Sequence, residues 1–159
     1  MQDTTVDAEP ATELERLYRE HGARLWRALL AFTGDREVAG DAVAEAFAQA
    51  LGRGAVLRSP LHWVWRAAFR IARGELKARR RRPAPEPERS YLPPEPDPDV
   101  KQALARLPKG QRAAVVLHHV ADYPVEEVAR ILGSTAPAVR MQLTRGRRRL
   151  RQLLEVSDD

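Results

Sequence analysis

The chain has 159 residues, a formal net charge of +5 at pH 7 and no cysteine. The absence of thiols excludes disulfides and thiolate metal sites, and the excess of arginine and lysine favours a polyanionic partner. The length suits one ordinary domain or two small ones. Because we find no long apolar run, signal peptide or lipidation motif, we expect a cytoplasmic protein that does not insert into a membrane.

Residues 1–11 are polar and predicted to be disordered, and a first helical lobe is predicted over residues 12–82. Thr12 and Glu15 form a capping box, which begins a helix that ends near Gly34. The apolar face of this helix is predicted to consist of Leu14, Leu17, Tyr18, His21, Leu25, Ala28, Leu29 and Phe32.

Two further helices complete the predicted first lobe. Asp35 is the expected cap of the second, and Ser59 followed by Pro60 marks the start of the third. The second helix has an apolar stripe of Val38, Ala42, Val43, Ala46, Phe47, Ala50 and Leu51. The third has a stripe of Val64, Trp65, Ala68, Ile71, Ala72 and Leu76. It runs into the basic residues 79–82, which suit either a solvated helix end or a polyanion contact.

Residues 83–99 are predicted to form a linker. This segment contains seven of the twelve prolines, and five acidic residues against one arginine. Proline at that density prevents helix formation, and repulsion between like charges extends the chain. An acidic spacer between two basic regions is typical of a protein that holds a polyanion at two points.

The second lobe is predicted over residues 100–155. Asp99 is the expected cap of a short helix through Leu107, and Pro108 begins another helix. That helix is expected to pack through Ala114, Val115, Leu117 and Val120. Since no segment shows the alternation of a β-strand, we predict an all-α chain of two small helical domains joined by the proline-rich linker.

Residues 125–144, VEEVARILGSTAPAVRMQLT, predict a helix-turn-helix. Ala129 is small enough for two helices to cross closely, and Gly133 tolerates the positive φ that the turn requires. Val139 and Leu143 then resume the apolar stripe in the second helix. Taken alone, this pattern would also suit a pair of helices in any bundle.

The second helix of this motif continues into an arginine-rich segment with no acidic residue between Val139 and Leu154. Early positions of a recognition helix reach base edges in the major groove, and this predicts base contacts by Arg140, Met141, Thr144 and Arg145. Later positions suit phosphates, and these are Arg147, Arg148, Arg149 and Arg151. If about six cations neutralise phosphates, the log–log salt slope should be near −5. A face that contacts only solvent is the alternative.

A second nucleic-acid surface is predicted on the third helix, where Trp63, Trp65 and Phe69 alternate with arginines. Aromatic rings stack on the bases of a melted strand while cations follow its backbone. The predicted contact residues are Arg58, Trp63, Arg66, Arg70 and Arg73. Trp65 lies in the apolar stripe, so we interpret it as a core residue.

Two other polar groups have ordinary structural explanations. Asp41, Glu45 and Gln49 recur every four residues, and such a stripe is by default a solvated helix face. Of the four histidines, His118 and His119 are adjacent and are therefore expected to point to different sides of a helix. No metal site is predicted.

The two lobes together resemble bacterial RNA polymerase sigma factors, and among them the small extracytoplasmic-function (ECF) class. The resemblance covers residues 12–153 and is most specific at residues 107–151, LPKGQRAAVVLHHVADYPVEEVARILGSTAPAVRMQLTRGRRRLR. It implies that Asp41, Glu45 and Gln49 bind core RNA polymerase. It assigns the minus-ten promoter element to the first lobe and the minus-thirty-five element to the second. It also implies an anti-sigma factor as partner, and neither a cofactor, a small-molecule substrate nor an enzymatic activity.

Several residues depart from the family's pattern. Gly40 and Ala44 stand where an acidic residue and a glutamine are common, which bears on polymerase binding. Arg70 and Gly74 stand where Asn and Asp are frequent, which bears on the minus-ten consensus. Gly146 replaces a usual alanine in the recognition helix, at an expected cost of about 1 kcal/mol of helix stability.

These observations predict a sigma factor that binds core polymerase, recognises both promoter elements and promotes transcription initiation. The alternative is a helix-turn-helix transcription regulator, derived from a sigma factor, that no longer forms a productive holoenzyme. Polymerase binding distinguishes the two. A metal-dependent nuclease is disfavoured because the acidic residues fall on helix surfaces or in the linker instead of in one cluster.

Overall fold

A computed structural model describes residues 8–54, 57–79 and 97–157, and every regular element in these ranges is helical. The first lobe contains α1 (Ala8–Thr33), α2 (Arg36–Arg53) and α3 (Pro60–Arg79). The second contains α4 (Pro98–Ala105), α5 (Lys109–Val115), a π-helical turn (Val116–Val120), α6 (Val125–Leu132) and α7 (Ala136–Ser157). The all-α prediction is confirmed. The predicted linker up to residue 96 and the basic residues 80–82 lie outside the described residues.

Two helices begin earlier than predicted. α1 begins at Ala8, so the capping box at Thr12 lies inside the helix. Residues 8–11, which were predicted to be disordered, are helical. A proline in the first turn is compatible with this start, because the N–H that it lacks would have no intrahelical acceptor. The cap of α4 is Asp97 and not Asp99: Asp97 Oδ1 accepts a hydrogen bond from the Asp99 N–H at 2.8 Å, and Pro98 is the first helical residue.

The other helix boundaries of the first lobe agree with the sequence. Gly34 ends α1 in a left-handed conformation, with φ +69°, and its N–H donates to the Leu30 carbonyl at 2.7 Å. Asp35 caps α2, because its Oδ1 accepts from the N–H groups of Glu37 and Val38 at 2.9 and 3.1 Å. These two residues set the direction in which α2 leaves α1.

The three helices of the first lobe pack their apolar faces into one core. Side chains from each helix are buried, among them Leu25, Leu29, Phe32, Val38, Ala42, Ala46, Val64, Trp65 and Ala68. Tyr18 and Leu51 were predicted to belong to these faces but are 55% and 57% exposed. Both lie at the edge of an apolar stripe, and in a three-helix lobe the neighbouring helices do not cover that edge.

A π-helical turn at Val116–Val120 directly continues α5 and ends that helical segment. The wider turn shifts the side chains that follow relative to a regular α-helix. Val120, predicted to be packed, is therefore 43% exposed. The rings of His118 and His119, predicted to diverge, meet edge-on with their centroids 4.8 Å apart. That prediction of their geometry was wrong.

The two lobes are docked against each other, and one cluster of buried apolar side chains runs through both. The buried guanidinium of Arg112 in α5 donates to the Phe32 carbonyl of α1 at 3.0 Å, and to the carbonyls of Ala105 and Leu107 at 3.1 Å. Helix α3 also packs on α6, the first helix of the helix-turn-helix. We call the contact of α3 with α6 and with the preceding Tyr123 the lobe seam.

Candidate nucleic-acid interface

The predicted helix-turn-helix is formed by α6, α7 and the turn between them. Gly133 adopts the left-handed conformation, with φ +63°, and the N–H of Ser134 donates to the Ala129 carbonyl at 2.8 Å. The hydroxyl of Thr135 accepts a hydrogen bond from the N–H of Ala138 at 3.3 Å and so caps α7. The local sequence thus sets both the end of α6 and the start of α7.

The rotation of α7 about its own axis is determined by its buried side. Val139 and Leu143 are each 1% exposed and join the core. The opposite side carries the four predicted base-reading residues, all of them exposed: Arg140, Met141, Thr144 and Arg145. The structure therefore places these four side chains together on one accessible face.

Two of these side chains also have partners within the protein. Arg140 Nη2 lies 3.6 Å from Glu126 Oε1, and both side chains are more than half exposed, so this ion pair is weak and exchangeable. The hydroxyl of Thr144 donates to the Arg140 carbonyl at 2.9 Å. A base edge would therefore meet Thr144 as a hydrogen-bond acceptor or through its methyl group.

The four predicted phosphate-binding arginines are exposed along the remainder of α7. Arg147 Nε donates to His119 Nε2 at 3.0 Å, so His119 presents a lone pair to it. Partial burial and then the charge of Arg147 lower the pKa of His119, which favours this neutral acceptor form. The sequence did not predict this contact, since it joins residues 28 positions apart in the chain.

Gly146 has a packing role that the sequence did not indicate. A β-carbon at this position would lie 2.9 Å from Val115 Cγ2 and 3.4 Å from Gln111 Cβ. The glycine therefore allows α7 to approach α5 closely. The expected cost in helix stability is therefore accompanied by a packing requirement for glycine.

The arginines predicted to contact the minus-ten element lie on or just before α3. Arg66, Arg70 and Arg73 are exposed along that helix, and Arg58 is exposed two residues before its start. Trp63 is half-buried, and the Arg53 guanidinium lies over its ring at 5.2 Å from the centroid.

The other two aromatic side chains of α3 belong to the core. Trp65 is fully buried, as predicted, and Phe69 is 2% exposed. Neither ring is accessible to a base, so Trp63 is the aromatic residue of this helix that a melted strand can reach.

The polar stripe of α2 lies on the outside of the first lobe. Asp41 and Glu45 are exposed and Gln49 is half-buried, with Gln49 Nε2 donating to Glu45 Oε1 at 3.0 Å. The outside of this lobe also exposes Tyr18, whose ring meets Phe47 edge-on at 5.2 Å. A sequence pattern that assigns every apolar residue of a stripe to the core does not reveal that this aromatic side chain is exposed.

Among the described residues, no group of three or more His, Cys, Asp or Glu side chains could hold a metal ion. No helix in the described part of the chain is long and apolar enough to cross a membrane.

Comparison with known proteins relates the chain to sigma factors. Residues 99–150 match the family described as Sigma-70, region 4. The chain is 29% identical to the ECF RNA polymerase sigma factor SigE of Mycolicibacterium smegmatis over 174 aligned positions, which cover 96% of this chain and 65% of SigE. It is 44% identical to SigM of Mycobacterium tuberculosis over 55 residues, which cover 35% of this chain and 28% of SigM. The chain thus spans less than two thirds of either relative.

Two solved structures have a similar fold. The structure of CnrH in complex with the cytosolic domain of CnrY matches with a TM-score of 0.71 and 21% identity, over 94% of this chain and 92% of that one. The sigma factor RpoE in complex with the anti-sigma factor NepR, from Bartonella quintana, matches with a TM-score of 0.68 and 20% identity, over 89% and 98%. The resemblance to ECF sigma factors is confirmed: residues 99–150 match the sigma-70 region 4 family, and the chain is similar in sequence to SigE and in fold to RpoE.

Proposed function

We propose that this protein is a sigma factor, which binds core RNA polymerase and directs transcription initiation at promoters with a minus-ten and a minus-thirty-five element. The observation that carries this proposal is the exposed face of α7. Four base-reading candidates and four arginines suited to phosphates lie on one helix, whose rotation is set by the buried Val139 and Leu143. Direct readout in the major groove requires such an arrangement.

The first lobe supplies the other two functions. The stripe of Asp41, Glu45 and Gln49, with the nearby exposed Tyr18, is the proposed polymerase contact. The arginines of α3 and the ring of Trp63 are the proposed contact to the minus-ten strand. Binding energy from these contacts would open the duplex, and the protein itself would perform no catalysis.

The partners follow from this role. Core polymerase and promoter DNA are required, and we propose that an anti-sigma factor holds the protein inactive, as a partner of that kind is present in the RpoE–NepR complex. The protein would act in the cytoplasm, where polymerase and DNA are found. Gly40 and Ala44, which depart from the family's pattern, lie on α2, the helix that carries the proposed polymerase contact. The affinity for core polymerase is therefore the first property to measure.

The test combines polymerase pull-down with run-off transcription from a promoter library. Promoter-dependent transcripts are expected with core polymerase. DNA binding without polymerase binding would instead support the sigma-derived regulator. Failure to bind DNA, alone or with polymerase, would contradict both functions.

Two variants of α7 separate base reading from phosphate binding. Arg140→Ala should relax minus-thirty-five specificity, at a cost of about 1–3 kcal/mol on the preferred sequence. Arg148→Ala should weaken binding to all sequences and reduce the salt slope by about 1. Both side chains are exposed on the same helix, so each variant is a control for the other. Equal losses on all DNA would contradict the assignment of roles.

A further inference from the structure

A titratable side chain lies beside the arginines of α7. His119, in the π-helical turn, is exposed, and its Nε2 accepts a hydrogen bond from Nε of Arg147 at 3.0 Å. Arg147 is one of the proposed phosphate contacts. The π-helical turn therefore borders the DNA-binding face, although it belongs to neither helix of the helix-turn-helix.

The position of Arg147 on α7 places this contact at the edge of the major groove. Arg140, Thr144 and Arg147 recur at spacings of four and three residues, so they lie on one side of the helix. At about 1.5 Å of rise per residue, Arg147 lies about 10 Å beyond Arg140 along the helix axis. The major groove is about 12 Å wide. When Arg140 meets base edges, Arg147 and His119 therefore lie near the phosphates that border the groove.

The surroundings of His119 favour the neutral imidazole in the free protein. Partial burial, then the charge of Arg147 and then His118 lower the pKa of His119, while the carboxylate of Asp122 raises it. Helices α1, α5 and α6 also pack on the turn, but within the described part of the chain they place no ionisable group that shifts this pKa. Because the imidazole is neutral, the guanidinium of Arg147 is held in place and keeps its full charge.

A phosphate beside this pair would reverse the electrostatics. An anion next to Nε2 of His119 favours the imidazolium, which donates through Nε2–H instead of accepting there. The ring takes its proton from solvent, and the new N–H points to one phosphate oxygen. The Nε–H of Arg147 has then lost its acceptor and donates to another oxygen of the same phosphate. Such charge-assisted hydrogen bonds are shorter and stronger than neutral ones.

We propose that His119 and Arg147 bind one backbone phosphate of duplex DNA as a pair, and that His119 takes up a proton from solvent as the phosphate arrives. This inference rests on the proposed function, in which α7 enters the major groove. The pKa of His119 is then higher in the complex than in the free protein, so binding tightens as the pH falls from the former value towards the latter.

The first test measures the affinity of the full chain for a fluorescein-labelled DNA duplex by anisotropy, from about pH 8 to about pH 6. His119→Gln is the informative variant, because its amide oxygen can still accept from Arg147 but the side chain does not titrate. Over this range the unmodified chain should gain about threefold to fivefold more affinity than the variant, as expected for an exposed ion pair. Parallel pH dependence of the two proteins would overturn the proposal.

His118→Gln is the matched control for this variant. It removes the neighbouring imidazole, whose Nδ1 donates to the Tyr123 carbonyl at 2.8 Å. The control should keep the pH dependence of the unmodified chain. If it loses as much of that dependence as His119→Gln does, the effect belongs to the turn as a whole, and the role of His119 is overturned.

Calorimetry detects the proton itself. Titrations with the same duplex at about pH 6.5, in buffers of different ionisation enthalpy, give the number of protons bound per complex. The unmodified chain should take up a larger fraction of a proton than His119→Gln. A purely structural role of His119 would change the affinity and leave the proton uptake the same, and that result would overturn the proposal.

Two arginine variants test whether Arg147 is the partner in this uptake. Arg147→Gln should reduce the proton uptake, because it removes a charge that lowers the pKa of His119 before DNA binds. Arg148→Gln removes an equal charge from the next exposed residue of α7 and should leave the uptake unchanged. Equal uptake by these two variants would overturn the pairing.

These measurements use DNA without polymerase, which separates this inference from the proposed function. A chain with the expected proton uptake that fails to transcribe with core polymerase would support the inference and contradict the proposed function. A chain that transcribes, but whose uptake equals that of His119→Gln, would do the reverse. If the free chain does not bind the duplex, the same comparison on the polymerase complex decides, because protons bound by polymerase cancel between the two proteins. No binding in either form would overturn both.

Discussion

Replacing Gly146 by alanine should destabilise the second lobe, although glycine-to-alanine changes in helices are usually stabilising. The helix propensity of alanine contributes about 1 kcal/mol in favour of the variant. Against this, the new β-carbon would lie 2.9 Å from Val115 Cγ2, well inside the usual 3.5–4.0 Å contact of carbon atoms. Overpacking of this kind costs about 1–3 kcal/mol, because the branched Val115 is buried and stiff. We expect a net loss of about 1 kcal/mol.

Gly74→Ala is the matched control for this variant. Gly74 also lies inside a helix, but it is exposed and a β-carbon there would meet nothing within 4 Å. The control should therefore gain about 1 kcal/mol, so the two free energies of unfolding should differ by about 2 kcal/mol. Urea denaturation followed by circular dichroism measures both.

The double variant with Val115→Ala identifies the cause. Removal of Cγ2 should abolish the penalty of Gly146→Ala, which gives a coupling energy of about 1–2 kcal/mol between the two sites. If Gly146→Ala stabilises as much as Gly74→Ala, the close approach of α5 and α7 is refuted. Additive effects of Val115→Ala and Gly146→Ala would show that another contact is responsible.

Two further predictions concern buried and titrating groups. Arg112→Met should destabilise the protein by roughly 3 kcal/mol or more, since three carbonyls would lose a charged donor. Thermal unfolding measures this loss, and a value below about 1 kcal/mol would show that these hydrogen bonds contribute little to stability. The pKa of His119 is lowered in the folded state, so protonation of this imidazole opposes folding. The neutral imidazole therefore contributes to the free energy of unfolding above the ordinary pKa near 6.5, and this contribution is lost as the pH falls below that value. His119→Gln should therefore flatten the decline of stability below about pH 6.5, and an unchanged slope would contradict the assignment.

Local sequence determined the helices and much of the candidate site. The caps at Asp35 and Thr135, the left-handed Gly133 and the buried pair of Val139 and Leu143 all act within a few residues of chain. Hydrogen bonds and side-chain spacing at i to i+4 are set by the residues themselves, so their effects can be read without knowing the fold. The exposed face of α7 follows directly from that spacing.

Tertiary structure decided which surfaces remain accessible. Tyr18 has the periodicity of a core residue, yet it is 55% exposed because the described helices around it cover its ring only in part. Gly146 has an unfavourable helix propensity, yet Val115 leaves no room for a side chain. Periodicity indicates which face of a helix is apolar, but only the partner helix determines how much of that face is covered.

The docking of the lobes was also decided by tertiary structure alone. The hydrogen bond from Arg112 to Phe32 joins residues 80 positions apart, and His62 meets Glu127 across two lobes that the sequence predicted as separate units. Neither contact could be predicted from the spacing of nearby residues, because each forms between two segments that are distant in the chain. The sequence determined the polar and apolar faces of each helix, and the tertiary structure decided that α6 packs on α3.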